Sequence, residues 1–397
     1  MEDKFYNKEV KLSNYIIDIA AGPFGSNLKV DCFVPEGFPI IDGANLKGFK
    51  VTDNITKFVT EEKARSLHRS IARKNDVVVT ISGNVGQISY IPFDSRYDEY
   101  LVSQRQFRVT FDTTKVYVPY LVYYFHTKEG QYKILSFANQ TGVPALSQPL
   151  KNFKNIDILF PELNVQKSIA SILEKLDSKI ELNRRINENL EQQAQALFKS
   201  WFIDFEPFKD GKFVDSELGK IPEGWKVGNL EELVEVKYGK DHKKLAPGTI
   251  PVYGSGGIMR YVDQYLYNKE SVLIPRKGSL NNVMYINRPF WTVDTMFYTR
   301  MKIEGIAKFI YLFMSPKDLL SMNSGSAVPS MTVDILNKIQ IITPPINIIQ
   351  KFECIMKPIF TKMDLCSYEN QKLSQLRDTL LPRLMSGELE IKDNSYD

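Results

Sequence analysis

The residue types best suited to catalysis are sparse in this chain and poorly spaced for it. The three histidines, His68, His126 and His242, lie far apart with no ligand spacing, which argues against a histidine-rich metal site. Cys32, Cys354 and Cys366 form no Cys-x-x-Cys pair, so neither a thiolate zinc site nor a disulfide framework is indicated, and all three are expected to be reduced and buried. The Gly-Lys pairs at Gly211, Gly219 and Gly239 lack the upstream glycine and following hydroxyl of a phosphate-binding loop. Gly254-Ser255-Gly256-Gly257 has Met259 where a dinucleotide fingerprint needs its last glycine, so it reads as a turn. Asp94, Asp98 and Glu99 do not belong to a Pro-Asp and Glu-x-Lys nuclease arrangement. The expectation is a chain with no catalytic residues, no metal and no cofactor.

The remaining chemistry is that of recognition. Ser82, Asn84 and Gln87 surround Gly83, and Arg276, Lys277, Ser279, Asn281 and Asn282 surround Gly278. Gln104, Arg105 and Gln106 form a second polar group in the first half, opposite Asp294 and Thr295 in the second. Arg and Lys match the guanine edge in the major groove, and Asn and Gln the adenine edge, so these loops are the candidate DNA-binding residues. Solvated turn polarity is the competing reading for any one of them. The clusters Asp241-His242-Lys243-Lys244 and Arg65-Ser66-Leu67-His68-Arg69 with Arg73-Lys74 are basic, but a solvated face explains them as well.

The elements that must position these loops are written twice. Val77-Val78-Val79-Thr80-Ile81-Ser82-Gly83-Asn84 parallels Val272-Leu273-Ile274-Pro275-Arg276-Lys277-Gly278-Ser279, each closing on a Tyr-Ile pair. Tyr123-Tyr124-Phe125 parallels Tyr311-Leu312-Phe313, and Thr141-Gly142-Val143-Pro144-Ala145-Leu146-Ser147 parallels Ser326-Ala327-Val328-Pro329-Ser330-Met331-Thr332. Pro161-x-x-Asn164-x-Gln166-Lys167 then parallels Pro344-x-x-Asn347-x-x-Gln350-Lys351. The offset between copies shrinks along the chain, as loop insertions and deletions in a shared framework would require. Short β-rich runs at 77–81, 89–92, 107–111, 271–274 and 283–286, split by turn residues, predict mixed sheets with small helices.

Each copy ends in a long helical pattern, about 164–203 and 347–386. Ile169, Leu173, Leu176, Ile180, Asn183, Asn187, Leu190, Ala194 and Leu197 follow a coiled-coil seam. Leu373, Leu376, Leu380 and Leu384 mark a rougher second stripe, with Pro358 and Pro382 expected to limit or kink its ends. Asn164 and Asn347 are placed as helix caps. Two such stripes bury each other most simply as an antiparallel pair, because a domain intervenes between them. A helix of about 35 residues rises about 50 Å, enough to set two domains over separate stretches of duplex.

Size and composition agree. With 397 residues, 43% hydrophobic and 25% charged, the chain is an ordinary globular one with more than one domain. No apolar run reaches membrane-span length; the longest, about 120–125 and 309–314, are strand- or turn-sized. The N-terminal residues lack an export signal, so no membrane association and a cytoplasmic location are expected. The net charge of +4 does not by itself announce a nucleic-acid binder.

Taken in order, the motifs resemble the specificity subunits of type I restriction–modification systems. The resemblance rests on Lys11-Leu12-Ser13, Gly22-Pro23-Phe24-Gly25-Ser26, Ile81-Ser82-Gly83-Asn84-Val85-Gly86, the stretch Ala196-Leu197-Phe198-Lys199-Ser200-Trp201-Phe202 and Ile221-Pro222-Glu223-Gly224-Trp225. Leu376-Arg377-Asp378-Thr379-Leu380-Leu381-Pro382-Arg383-Leu384 closes the set. It implies an α+β, pseudo-twofold architecture: target-recognition domains at 1–160 and 207–343, a central spacer helix at 161–206, and a distal spacer helix with a C-terminal tail at 344–397. The two helices would form a long antiparallel two-helix coiled-coil spacer between the domains. The implied partners are double-stranded DNA, two methyltransferase (modification) subunits docking on the helical region, and a restriction/translocase subunit. The chain itself would read a bipartite, asymmetric DNA site without catalysing any step. Two other classes compete: a coiled-coil scaffold joining two protein-binding domains, and a free-standing enzyme.

Overall fold

The β-branched runs of the first half form an antiparallel sheet in the order Ile16–Ala21, Gln106–Phe111, Val77–Thr80, Ile88–Tyr90. Those of the second half give Val234–Tyr238, Met296–Met301, Ser271–Pro275, Met284–Ile286 in the same spatial order. The computed structural model describes residues 9–139, 143–322 and 330–389. Thr141 and Gly142, and Ser326 to Pro329 of the repeat, lie outside the described residues. A second small sheet accompanies each first one, and both contain one parallel pairing. Phe38–Ile41 runs parallel to Glu99–Val102 in one, and Pro247–Gly254 parallel to Trp291–Thr292 in the other. The duplicated text thus folds into duplicated topology, while the intervening loops differ.

Two compact units result: one takes the chain up to Glu181 and from Asn370 onward, the other Leu182–Glu369. Each contains a small helix made from an apolar run, Val118–Phe125 and Ala307–Met314. Length alone had suggested strands or turns there. Helix wins because every side chain of Val118–Phe125 is buried between the sheet and a long helix, so an apolar surface all round costs nothing.

The long helices span Leu163–Phe202 and Ile346–Met385. In the first unit the pairing is antiparallel: Arg377 meets Asp177, and Asn370 Nδ2 donates to Ile180 O at 3.2 Å. In the second unit, Asn183 Nδ2 donates to Glu369 at 2.7 Å, and Asn187 Nδ2 to Ser367 Oγ at 3.0 Å. Both seam asparagines are therefore used as interhelical donors.

The helices are more than a seam, because their ends belong to the unit cores. Ile169, Ala170 and Leu173 join Leu381, Leu384 and Met385 in the first core. In the second, Phe198 and Phe202 of one helix pack with Phe352 of the other and with Phe309, ring centroids 4.8–6.1 Å apart. Burying each such ring contributes about 2–3 kcal/mol. Leu176, Ile180, Leu190 and Leu197 are only half-buried, and Leu376 is exposed where the stripe predicted a seam residue; Leu381 is buried instead.

Three local expectations are corrected. Pro358 and Pro382 lie inside a continuous helix. Both prolines are exposed, as are Cys354 and Asp378 four residues earlier, whose carbonyls lose their amide partners. Asn164 and Asn347 lie one residue inside their helices, not at the caps; Gln166 N already bonds Glu162 O at 3.0 Å. Of the cysteines, all free, only Cys366 is buried; Cys32 is half-buried and Cys354 exposed. Among the described residues no helix is long and apolar enough to cross a membrane.

Candidate nucleic-acid interface

Every predicted loop of the first unit emerges at one end of its sheet. Thr80 pairs with Gln106 and Ala21 with Phe107, so the segments beginning at Gly22 and Ile81 and the turn before Gln106 share that edge. Backbone bonds lock them together. Gly22 N donates to Gln106 O at 2.8 Å, Ser103 N to Ile41 O at 2.9 Å, Ile81 N to Arg105 O at 2.7 Å, and Leu146 N to Ile81 O at 2.9 Å.

The second unit repeats this lattice bond for bond. Gly239 N donates to Met296 O at 3.0 Å, Val293 N to Tyr253 O at 3.1 Å, Arg276 N to Thr295 O at 2.8 Å, and Met331 N to Arg276 O at 2.9 Å. Both central glycines need their positive φ, 89° at Gly83 and 85° at Gly278, a region that side-chain-bearing residues enter at a cost. Backbone geometry therefore places Gln104-Arg105 opposite Asp294-Thr295, and Ser82 opposite Lys277. The framework is shared; the side chains it presents are not.

In the first unit Asn84, Gln104 and Arg105 are exposed at this end, while Ser82 and Gln87 are half-buried. Thr80 Oγ1 donates to Gln87 Oε1 at 3.3 Å, which holds that amide against the sheet. Gln106 is 2% exposed and accepts from the Ser103 hydroxyl, so it braces the turn and presents nothing outward. It began as a candidate contact only because its neighbours are polar; it opens a strand that is covered on both faces, beneath the Ser103 turn.

In the second unit Lys277, Ser279 and Asn281 are exposed. Arg276 is half-buried, its guanidinium 5.3 Å above the Tyr238 ring and donating to Asp294 O at 3.2 Å. Asn282 Nδ2 donates to Ser255 O at 2.7 Å, tying the loop to the hairpin turn where Gly254 pairs with Gly257. That turn is a two-residue β-connection, as its glycines suggested. Thr295 contributes its carbonyl to two backbone bonds and is half-buried.

Two exposed groups at these ends were not among the sequence candidates: Phe24, two residues past Gly22, and Lys240, next to Gly239. Asp241 follows Lys240 directly, and the exposed Lys243 and Lys244 come after it. The Gly22/Gly239 equivalence was the available signal. A β-carbon would meet Ser103 O at 1.9 Å in one and Val293 O at 2.0 Å in the other.

The sheet behind the first unit's loops is pinned by Arg108. Its Nη2 donates to Asp18 at 2.7 Å and its Nε to Arg69 O at 2.9 Å. The Arg108 bond holds the Asp18 carboxyl below its ordinary range, and burial pushes Asp76 up against a bond from Thr110. The basic run at Arg65 is spent locally, on Glu61 and Glu99, while Arg73 pairs with Glu99 and Lys74 with Asp98. Among the described residues no group of three or more His, Cys, Asp or Glu could hold a metal ion.

Comparison with known proteins converges on one family. The family model for the type I restriction modification DNA specificity domain matches twice, at residues 34–192 and 222–375. The MjaIX specificity subunit of a type I restriction enzyme from Methanocaldococcus jannaschii is 27% identical over 364 residues, covering 84% of this chain and 82% of that relative. The HindI specificity subunit from Haemophilus influenzae is 26% identical over 77% of this chain and 84% of its own. The crystal structure of a type I restriction–modification S subunit from M. genitalium aligns over 99% of this chain and 98% of its own, with a TM-score of 0.56 at 19% identity, a likeness of fold. Two copies of one domain, each ending its sheet in a loop set of its own, belong to the type I restriction–modification DNA-specificity family, and this chain is a member.

Proposed function

We propose that this chain reads a bipartite, asymmetric DNA site, one half with each unit, and positions two modification subunits and a restriction subunit on it while performing no chemistry itself. One observation carries the reading: identical backbone bonding holds Asn84, Gln104 and Arg105 at one sheet end and Lys277, Ser279 and Asn281 at the other. A common frame with unlike hydrogen-bonding side chains suits unlike half-sites, since specificity lies in base-edge contacts and not in the scaffold. The remaining site candidates, Ser82, Gln87, Gln106, Arg276, Asn282 and Thr295, act by fixing these loops. The work takes place in the cytoplasm, with no membrane and no cofactor of the chain's own.

The modest net charge of +4 fits a subunit that shares the phosphate grip with its partners. Isolated, the chain binds DNA weakly and with a steep salt dependence. A scaffold joining two protein-binding domains gives no reason for the duplicated polar loops. Mapping methylated adenines in DNA from cells carrying the complete system tests the proposal: a two-part asymmetric motif with a fixed gap is expected. A continuous or palindromic motif, or none, would overturn it.

A further inference from the structure

Tyr238 ends its strand at the loop-bearing end of the second unit and is 52% exposed. Across the ladder it pairs with the fully buried Phe297, the two rings edge-on with centroids 5.1 Å apart, which fixes the place of the tyrosine ring on the sheet. Over this ring lies the Arg276 guanidinium, 5.3 Å from the centroid and donating from Nη1 to Asp294 O at 3.2 Å. The arginine backbone is tied on both sides, its N to Thr295 O at 2.8 Å and its O to Met331 N at 2.9 Å. An arginine held on a ring in this way has given up rotamer freedom before any ligand arrives.

The first unit has no such pair at the equivalent positions. Strand register puts Ala21 where Tyr238 stands, each opposite a buried phenylalanine, and the shared loop bonding puts Ile81 where Arg276 stands. Other cations held over rings are spent on carboxylates, Arg377 on Asp177 and Lys308 on Glu270 and Glu353. Among the described residues no carboxylate pairs with Arg276, and Asp294 O takes only part of its donor set. A forked donor with hydrogens to spare matches O6 and N7 of guanine in the major groove, the commonest contact by which that base is read. We infer that Tyr238 is a positioning residue: its ring holds Arg276 so that the remaining guanidinium donors take a guanine in the half-site read by the second unit. This goes beyond the loop-fixing role of Arg276 and rests on the DNA reading above.

The test uses the full chain assembled with its modification subunits and the methylated site found by sequencing. Each guanine in both halves is replaced in turn by 7-deazaguanine, which removes only the N7 acceptor, and binding is compared with the unmodified site. One guanine, in one half only, should show a loss of about fivefold or more in the wild type. Arg276→Met, which keeps an apolar stem on the ring without the donors, should show almost none. Tyr238→Phe should match the wild type, whereas Tyr238→Leu, apolar but without a π face, should cut the penalty below about twofold. A purely structural role for Tyr238 would weaken binding to every site alike and leave that penalty unchanged. The absence of such a guanine, or a penalty undiminished in Arg276→Met or Tyr238→Leu, would overturn the inference, as would an equal loss on every sequence in Arg276→Met, the sign of a phosphate contact. These results leave the two-part site intact, whereas a complex that methylates no such site overturns the function itself.

Discussion

Arg377 of the second long helix donates from Nη1 to Asp177 Oδ1 of the first at 2.7 Å. Asp177 also accepts the Tyr123 hydroxyl, and the Arg377 guanidinium lies 5.0 Å over the Phe49 ring. One cation thus joins both helices to the sheet domain of the first unit.

Removing it should cost stability. Both side chains are less than one-fifth exposed. Arg377→Ala leaves Asp177 half-satisfied, at about 2 kcal/mol after some solvent screening, or about 4–8 °C in melting temperature for a unit of this size. Arg377→Lys should recover less than half, because an ammonium cannot bond the carboxylate and lie flat on Phe49 together. Full recovery in a thermal melt would show that charge alone matters.

Substitutions at the first unit's loops should separate into two kinds. Asn84→Ala, Gln104→Ala and Arg105→Ala remove exposed side chains, so they should relax one half of the methylated motif with thermal stability unchanged. Gln106→Ala removes a buried amide beneath the turn and should destabilise by about 1–2 kcal/mol. Methylome sequencing beside melting curves distinguishes the two. A stable Gln106→Ala protein with an altered motif would return that residue to the set of direct contacts.

Much of this was legible because duplication is visible as text. Gly83 and Gly278, the apolar strands before them and the long amphipathic helices all appeared in sequence, since turn geometry and apolar period depend on local residue type. What was hidden depended on the third dimension. Gln106 and Arg105 are adjacent and equally polar, and what separates them is that Arg105 sits in the exposed turn while Gln106 opens a strand covered on both faces. Asn282 looks like a reader until the Ser255 carbonyl is found beneath it. Pro358 seemed a breaker because proline removes an amide, and residue type does not show that the helix continues through it on an exposed position.

The length of the helical pair should set the unread gap in the site. In the second unit Asn183 meets Glu369, and Asn187 meets Met363 O and Ser367, so residues facing each other sum to roughly 552 in number. Deleting 184–190 together with 362–368 therefore removes facing segments and keeps the heptad phase. Seven residues span about 10 Å, so the gap should shorten by about three base pairs. An unchanged gap in the methylated motif would dissociate helix length from spacing.

Acidity should weaken the first unit through His126. Its half-buried ring lies 4.4 Å from Phe49, with Nε2 2.8 Å from Ile88 O, a bond that a neutral imidazole makes with its proton on Nε2. Burial first, and then the nearby Arg377 charge, hold it below its ordinary value of 6.5, although the Ile88 carbonyl opposes them. In the unfolded chain the ring titrates near 6.5. Below that pH the unfolded state binds a proton that the folded state refuses. Stability is therefore level above about 6.5 and falls as pH drops toward the lower folded value. His126→Gln can keep a donor toward Ile88 without titrating. Its melting-temperature deficit against the wild type should shrink between pH 7 and pH 5. A deficit that stays constant over that interval would show that the folded imidazole takes up its proton as readily as the unfolded one.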